Sequence, residues 1–97
     1  MSKPIKIELG HGTWWLKLTG PPCLPAGQDG SCDPPDKRGR RWIYIADALV
    51  GLERLETICH EYAHAADPQA SEETIEERAR VEARLLWDLG YRLMEGP

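Results

Sequence analysis

The chain has 97 residues, of which 41% are hydrophobic and 29% are charged, and its formal net charge at pH 7 is −4. These values are typical of a globular protein and exclude an intrinsically disordered chain, and the acidic balance provides no overall field that attracts nucleic acid or an anionic membrane. No apolar run approaches the roughly 20 residues that are needed to cross a bilayer.

The N-terminus and the cysteines indicate the compartment. The first residues, MSKPIKIELGHG, lack the long apolar core of a signal peptide, so we expect a cytoplasmic protein without a membrane partner. Three cysteines, an odd number, argue against a disulfide framework. Cys23 and Cys32 could pair if oxidised, but reduced thiols are the expected state. The length predicts a single domain, residues 1–97, and leaves the oligomeric state open.

The first half of the chain predicts strands and one long loop. Residues 4–19 alternate between apolar and polar side chains and predict a hairpin of two strands with the turn at GHG. Residues 20–40 are rich in proline and glycine, which predicts a long surface loop. Residues 41–46 are rich in aromatic and β-branched side chains and predict a third strand.

The second half predicts two helices. Apolar residues recur at helical spacing from about residue 51 to 67, and Pro68 ends this helix. Ser71 can cap a second helix, predicted over residues 71–92, because acidic residues follow in its first turn. We therefore predict an α+β fold, in which a small three-stranded antiparallel sheet packs on the first helix and the second helix runs antiparallel to the first.

The segment HEYAHAAD, residues 60–67, places the HExxH pattern on the first predicted helix. Residues four apart share a helix face, so the imidazoles of His60 and His64 can reach one zinc ion. Glu61 would lie beside the ion without binding it, where it can act as a general base on water. The alternative is an amphipathic helix with ordinary polar residues, although other side chains already supply its apolar face.

A catalytic zinc site normally has three protein ligands, so the chain must provide one more. If the two helices form an antiparallel hairpin centred near Gln69, Glu76 lies at the level of the ion. Glu72, one turn earlier on the same side, is the alternative third ligand, and Glu73 points further outward. The third histidine of the longer HExxHxxGxxH pattern would fall at Ala70, which excludes that subclass.

Five motifs occur in the order CDPP (32–35), WIYI (42–45), LETICHEYAHAAD (55–67), SEETIEERA (71–79) and LLWDLGY (85–91). This series resembles small proteins carried in phage and prophage genomes that are regarded as gluzincin-type zinc metallopeptidases. The resemblance covers residues 30–92 and implies zinc on His60 and His64, with Glu61 as general base. It also implies a glutamate of the second helix as third ligand, without selecting which one, and it supplies no substrate.

The sequence therefore predicts a minimal zincin-like metallopeptidase that uses Zn²⁺ to hydrolyse a peptide or protein substrate. One alternative is a zinc-stabilised module that binds a protein partner without catalysis, and another is a metal-free helical hairpin. Candidates for stabilising the oxyanion are Tyr91, Arg78 and His11, and the sequence selects none of them. A second metal site of Cys23, Cys32 and His11 is a further alternative, although a docked proline-rich turn explains CDPP better.

Two other features of the sequence are not assigned to a functional site. The four tryptophans are interpreted as packing residues, and the basic cluster KRGRR, residues 37–41, as a solvated loop. Four charges of one sign within an acidic chain are weak support for DNA binding, so no nucleic-acid partner is expected.

Overall fold

The computed structural model describes residues 3–94, so residues 1, 2 and 95–97 of the predicted domain lie outside the described part. The elements are strands β1 (Ile5–Leu9), β2 (Gly12–Thr19), β3 (Gly30–Cys32) and β4 (Arg41–Ala46), then helices α1 (Gly51–Ala66) and α2 (Glu72–Asp88). The fold is α+β, as predicted. No helix within residues 3–94 combines the length and the apolar character needed to cross a membrane.

The sheet differs from the prediction in strand number and direction. It has four strands in the order β1-β2-β4-β3 rather than three. The hairpin of β1 and β2 is antiparallel, as predicted, and β3 also runs antiparallel to β4. However, β2 and β4 are parallel, so the prediction of an all-antiparallel sheet was wrong.

The reason lies in residues 20–40, which were predicted to be a loop. Residues 30–32 within this segment form β3, a strand too short to show alternation in the sequence. Residues 20–29 cross the end of β4, where the backbone N–H of Ala46 donates to the carbonyl of Asp29 at 2.7 Å. Two parallel strands begin at the same end of the sheet, so the chain must return to that end between β2 and β4. Residues 20–40 are long enough for this return.

One face of the sheet packs on α1, and α2 packs on α1 but hardly on the sheet. The sheet's core consists of side chains from β2 and β4 that are at most 8% exposed: Trp14, Leu16, Ile43 and Ile45. They pack with Ala65 near the end of α1. The layers are therefore sheet, α1 and α2, and no helix of the described chain covers the opposite face of the sheet.

The two helices meet through small side chains. Cys59 on α1 and Ala79 and Ala83 on α2 form one buried cluster, and each is at most 9% exposed. Small contact residues let two helix axes approach closely. This close approach brings the first turn of α2 within side-chain reach of α1.

The ends of α2 are fixed by its own residues. The hydroxyl oxygen of Ser71 accepts a hydrogen bond from the backbone N–H of Thr74 at 3.2 Å, which caps the first turn. At the other end Gly90 adopts a φ of +97°, and the backbone N–H of Tyr91 donates to the carbonyl of Leu86. This glycine-terminated cap ends the helix at Asp88, four residues before the predicted end at residue 92.

The substitution Ala79→Leu is expected to destabilise the protein by about 1–3 kcal/mol, since the added atoms have no space between the helices. Urea unfolding followed by circular dichroism measures this change. The control is Ala48→Leu at an exposed position, where an effect within about 0.5 kcal/mol is expected. Equal unfolding midpoints for Ala79→Leu and the wild type would contradict the close helix packing.

Candidate metal centre

His60 and His64 lie one turn apart on α1, with their Nε2 atoms 3.2 Å apart. Their ring centroids are separated by 4.9 Å. The side chains are 24% and 29% exposed, so both imidazoles are half-buried but remain open to a small ligand. The helical spacing thus gives two nitrogen donors that face the same point.

Glu72, in the first turn of α2, completes this arrangement. Its two carboxylate oxygens lie 2.8 Å from the Nε2 of His60 and 2.9 Å from the Nε2 of His64. One ligand atom from each of the three residues falls within 4.8 Å of the others. Within residues 3–94 this is the one group of histidine, cysteine and carboxylate side chains with such geometry, and Glu73 and Glu76 are not members of it.

The rotation of α2 explains why Glu72 takes this place instead of Glu76, the first choice from the sequence. Counting residues from Gln69 gives only the level along the helix axis. At about 100° per residue, Glu72 lies about 20° from the centre of the buried stripe of α2, whereas Glu76 lies about 60° from it. Glu76 lines the neighbouring cavity instead. The stripe itself consists of Ile75, Ala79 and Ala83.

The donor set fits a divalent metal ion. On a tetrahedral ion with bonds of about 2.0–2.1 Å, two ligand atoms are about 3.3–3.4 Å apart. The contacts of 2.8–3.2 Å between these side chains differ from that spacing by only a few tenths of an ångström. The side chain of Glu72 is 64% exposed, so the group faces solvent. His60, His64 and Glu72 could therefore bind a metal ion.

Glu61 lies on the side of α1 that faces β3. A Cβ atom added at Gly30 would meet the Cγ of Glu61 and the Cγ2 of Thr57, each at 3.0 Å. The backbone of β3 therefore runs directly against the side chain of Glu61. The sequence interpretation missed Gly30, although a glycine within a strand often marks a close approach of this kind.

The pKa of Glu61 is affected by its burial and by the charges of the three candidate ligands. Burial raises the pKa of its carboxyl above the ordinary value. His60 and His64 act in the opposite direction, and Glu72 adds to the rise. The charges of all three candidate ligands thus act on the Glu61 carboxyl, although Glu61 is not a member of the ligand group.

A cavity of about 610 Å³ opens beside His60 and Glu61. Five carboxylates line it: Asp29, Glu53, Glu56, Glu61 and Glu76. No lysine or arginine is among its lining residues in the described chain. The space next to the candidate ligands thus has a strongly negative potential.

The three candidates for oxyanion stabilisation make other contacts. The Nε2 of His11 lies 2.8 Å from the carbonyl oxygen of Ala65, which ties the β1–β2 turn to the end of α1. Arg78 lies 3.8 Å from the carboxylate of Asp67. Tyr91 lines a different cavity, near the C-terminal end of α2. None of the contacts described for these three side chains reaches the candidate ligands.

Cys23, Cys32 and His11, the alternative second metal site, do not form a group with metal-binding geometry among the described residues. Cys23 is exposed, and Cys32 is half-buried in β3. Burial raises the pKa of the Cys32 thiol to about 12, with Glu61 and Asp33 adding to the rise. Its Sγ contacts the carbonyl of Asp33 at 3.5 Å. A high thiol pKa is opposite to what a thiolate ligand needs.

The substitution Gly30→Ala is expected to lower stability by about 1–3 kcal/mol, because the new methyl group displaces Glu61 or Thr57. Metal affinity should stay unchanged, since no candidate ligand contacts Gly30. Chemical unfolding and a zinc titration measure the two effects. Gly10→Ala is the matched control, because nothing lies within 4 Å of a Cβ atom there. Equal stability of the two variants would contradict the contact between β3 and Glu61.

Comparison of the chain with protein-family models, curated proteins and solved structures gives no match. The resemblance to phage-borne metallopeptidases therefore stays a prediction.

Proposed function

We propose that the protein is a zinc-dependent metallopeptidase, with His60, His64 and Glu72 as metal ligands and Glu61 as general base. The observation that supports this most is the approach of two imidazole nitrogens and one carboxylate to within 4.8 Å of one another. Structural zinc sites usually have four protein ligands and are rich in cysteine. A set of two histidines and one glutamate is typical of catalytic zinc, which keeps one position open.

The choice of zinc follows from the donors and from Glu61. Imidazole nitrogen and carboxylate oxygen suit zinc, although two histidines and one carboxylate also suit ferrous iron. The adjacent half-buried glutamate favours hydrolysis, which needs a proton acceptor next to the ion. When bound, zinc supplies Lewis acidity and a water nucleophile that is available near neutral pH.

The protein's own side chains then have distinct roles. His60, His64 and Glu72 fix the position of the ion at the junction of the two helices. Glu61 accepts the proton of the attacking water and returns it to the leaving amine. The backbone of β3 at Gly30 lies close against this side chain and limits its movement on that side.

The edge of the sheet offers a place for the peptide. β3 is an edge strand that packs against α1, and its first residue, Gly30, lies against the side chain of Glu61. An extended peptide can add to such an edge by main-chain hydrogen bonds, which positions a peptide bond without requiring a particular sequence.

The acidic cavity predicts a preference for basic substrates. Peptides with Lys or Arg at the residue that enters the cavity are expected to give kcat/KM values at least about tenfold above matched peptides with Glu. Fluorogenic peptide pairs measure the ratio. Glu53→Gln, within the cavity lining, should reduce the ratio, whereas Glu82→Gln on α2 should leave it unchanged. A ratio that is insensitive to both substitutions would contradict this preference.

Incubation of the zinc-loaded protein with a diverse peptide mixture tests the proposed activity, with new termini identified by mass spectrometry. We expect cleavage that a zinc chelator stops and that added zinc restores. Bound zinc without cleavage would contradict a peptidase and favour the zinc-stabilised binding module. The high exposure of Glu72, 64%, is the observation that favours this second function, because a catalytic ligand is usually enclosed with its substrate.

A further inference from the structure

The face of the sheet opposite α1 carries aromatic and basic side chains. Trp15 pairs with Trp42 across β2 and β4, and Lys6 pairs with Trp15 across β1 and β2. Lys17 pairs with Tyr44 in the next row of the same face. These residues alternate along their strands with the core residues, so their side chains point away from both helices. We call Trp15, Trp42 and Tyr44 the aromatic face.

The aromatic face is partly exposed to solvent. The rings of Trp42 and Tyr44 are nearly parallel, at 11°, with their centroids 5.5 Å apart. All three aromatic side chains are half-buried, whereas the neighbouring Trp14 on the core side is fully buried. The guanidinium of Arg40 lies 4.5 Å from the ring centroid of Trp15 and 5.7 Å from that of Trp42. Basic side chains, Arg40 over both tryptophans and Lys6 over Trp15, thus lie against aromatic rings that remain partly exposed.

The two halves of the chain carry net charges of opposite sign. Residues 1–50 contain seven Lys and Arg against five Asp and Glu, whereas residues 51–97 contain five against eleven. The sheet half is therefore positive and the helical half strongly negative. Among the cations of the sheet half, Lys6, Lys17 and Arg40 lie on or beside the aromatic face, where Lys6 also pairs with Glu8 at 3.1 Å, so the cations outnumber the carboxylate there. A polyanion approaching the protein is repelled by the helices and attracted to this face.

We propose that the aromatic face binds single-stranded nucleic acid. Unpaired bases stack on Trp15, Trp42 and Tyr44, while Lys6, Lys17 and Arg40 contact the phosphates. A neutral sugar would explain the rings but not the cations, and an acidic peptide would explain the cations but not the rings. The expectation of no nucleic-acid partner rested on the acidic net charge and on the small size of the KRGRR cluster, and neither of these shows how charge is divided between the two halves of the chain.

Fluorescence anisotropy with a labelled oligothymidylate of about twelve nucleotides tests this proposal, because about 4–16 nucleotides occupy a single small binding surface. We expect saturable binding at low salt with quenching of tryptophan fluorescence. Three phosphate contacts predict that log K falls with log salt with a slope of about −2. A duplex of the same length should bind at least about tenfold more weakly, since its bases are not free to stack.

Two pairs of matched variants locate the surface. Trp42→Leu and Arg40→Ala should each weaken binding about tenfold, whereas Trp87→Leu and Arg84→Ala on α2 should not change it. Arg40 is exposed, so its replacement is expected to keep the fold even if Trp42→Leu does not. Three results would overturn the proposal: no binding at low salt, equal affinity for duplex or heparin, or equal affinity of Arg40→Ala and the wild type.

Discussion

Replacing His64 with alanine is expected to weaken zinc binding about a thousandfold. Binding free energies of protein zinc sites are of the order of 12 kcal/mol, so loss of one of three ligands removes roughly 4 kcal/mol. The remaining pair, His60 and Glu72, would hold the ion with one contact from each helix. Competition with a chromophoric chelator measures the dissociation constants of the wild type and the variant.

His11→Ala is the matched control for this substitution. His11 contacts the carbonyl of Ala65 at 2.8 Å and contacts none of the candidate ligands in the described structure. Its replacement should reduce stability by about 1 kcal/mol and leave zinc affinity unchanged. If His64→Ala and His11→Ala had equal effects on zinc affinity, zinc would not be bound at the candidate centre.

The substitution Glu61→Gln is expected to reduce peptide hydrolysis by about 10²–10⁴-fold while zinc stays bound. Glutamine keeps the size of the side chain and its position against Gly30, but its amide cannot accept the proton of water. Zinc content and kcat/KM are measured on the same sample, using peptides that the wild type cleaves.

Glu82→Gln controls for removal of one negative charge from the chain, since Glu82 pairs with Arg78 on α2, away from the cavity. Its kcat/KM should equal that of the wild type. Hydrolysis at the normal rate in Glu61→Gln would contradict the role of general base. Loss of zinc in that variant would indicate that Glu61 is itself a ligand.

The local parts of the structure were predictable from the sequence. Helical periodicity and Pro68 give α1 to within one residue of its end, and Ser71 gives the start of α2. The approach of His60 to His64 follows from helix geometry alone, because both residues lie within one element. Such features depend on contacts between near neighbours in the chain.

The features that depend on tertiary structure were not predictable in the same way. The parallel pairing of β2 with β4 depends on how residues 20–40 cross the sheet, and proline and glycine content says nothing about that path. Selecting Glu72 over Glu76 requires the rotation of α2 about its axis, which is set by packing against α1. The sequence directed the search for a third candidate ligand to the acidic residues of α2, but it favoured Glu76, because counting residues along the chain ignores the rotation of the helix.

The tryptophans show the same limit. Alternation places Trp14 and Trp15 on opposite faces of β2, but it does not indicate which face a helix covers. Trp14 is in the core, as expected for a packing residue, whereas Trp15 lies on the aromatic face. The role of an aromatic strand residue therefore depends on where the helices dock.

Zinc content per chain, measured by native mass spectrometry after zinc is supplied and excess is removed, tests the central claim most directly. Wild type, Glu72→Ala and Glu76→Ala are compared as protein without an affinity tag. We predict one zinc ion per wild-type chain, loss of the ion from Glu72→Ala, and retention by Glu76→Ala. A wild-type chain without metal, or loss confined to Glu76→Ala, would contradict a centre formed by His60, His64 and Glu72.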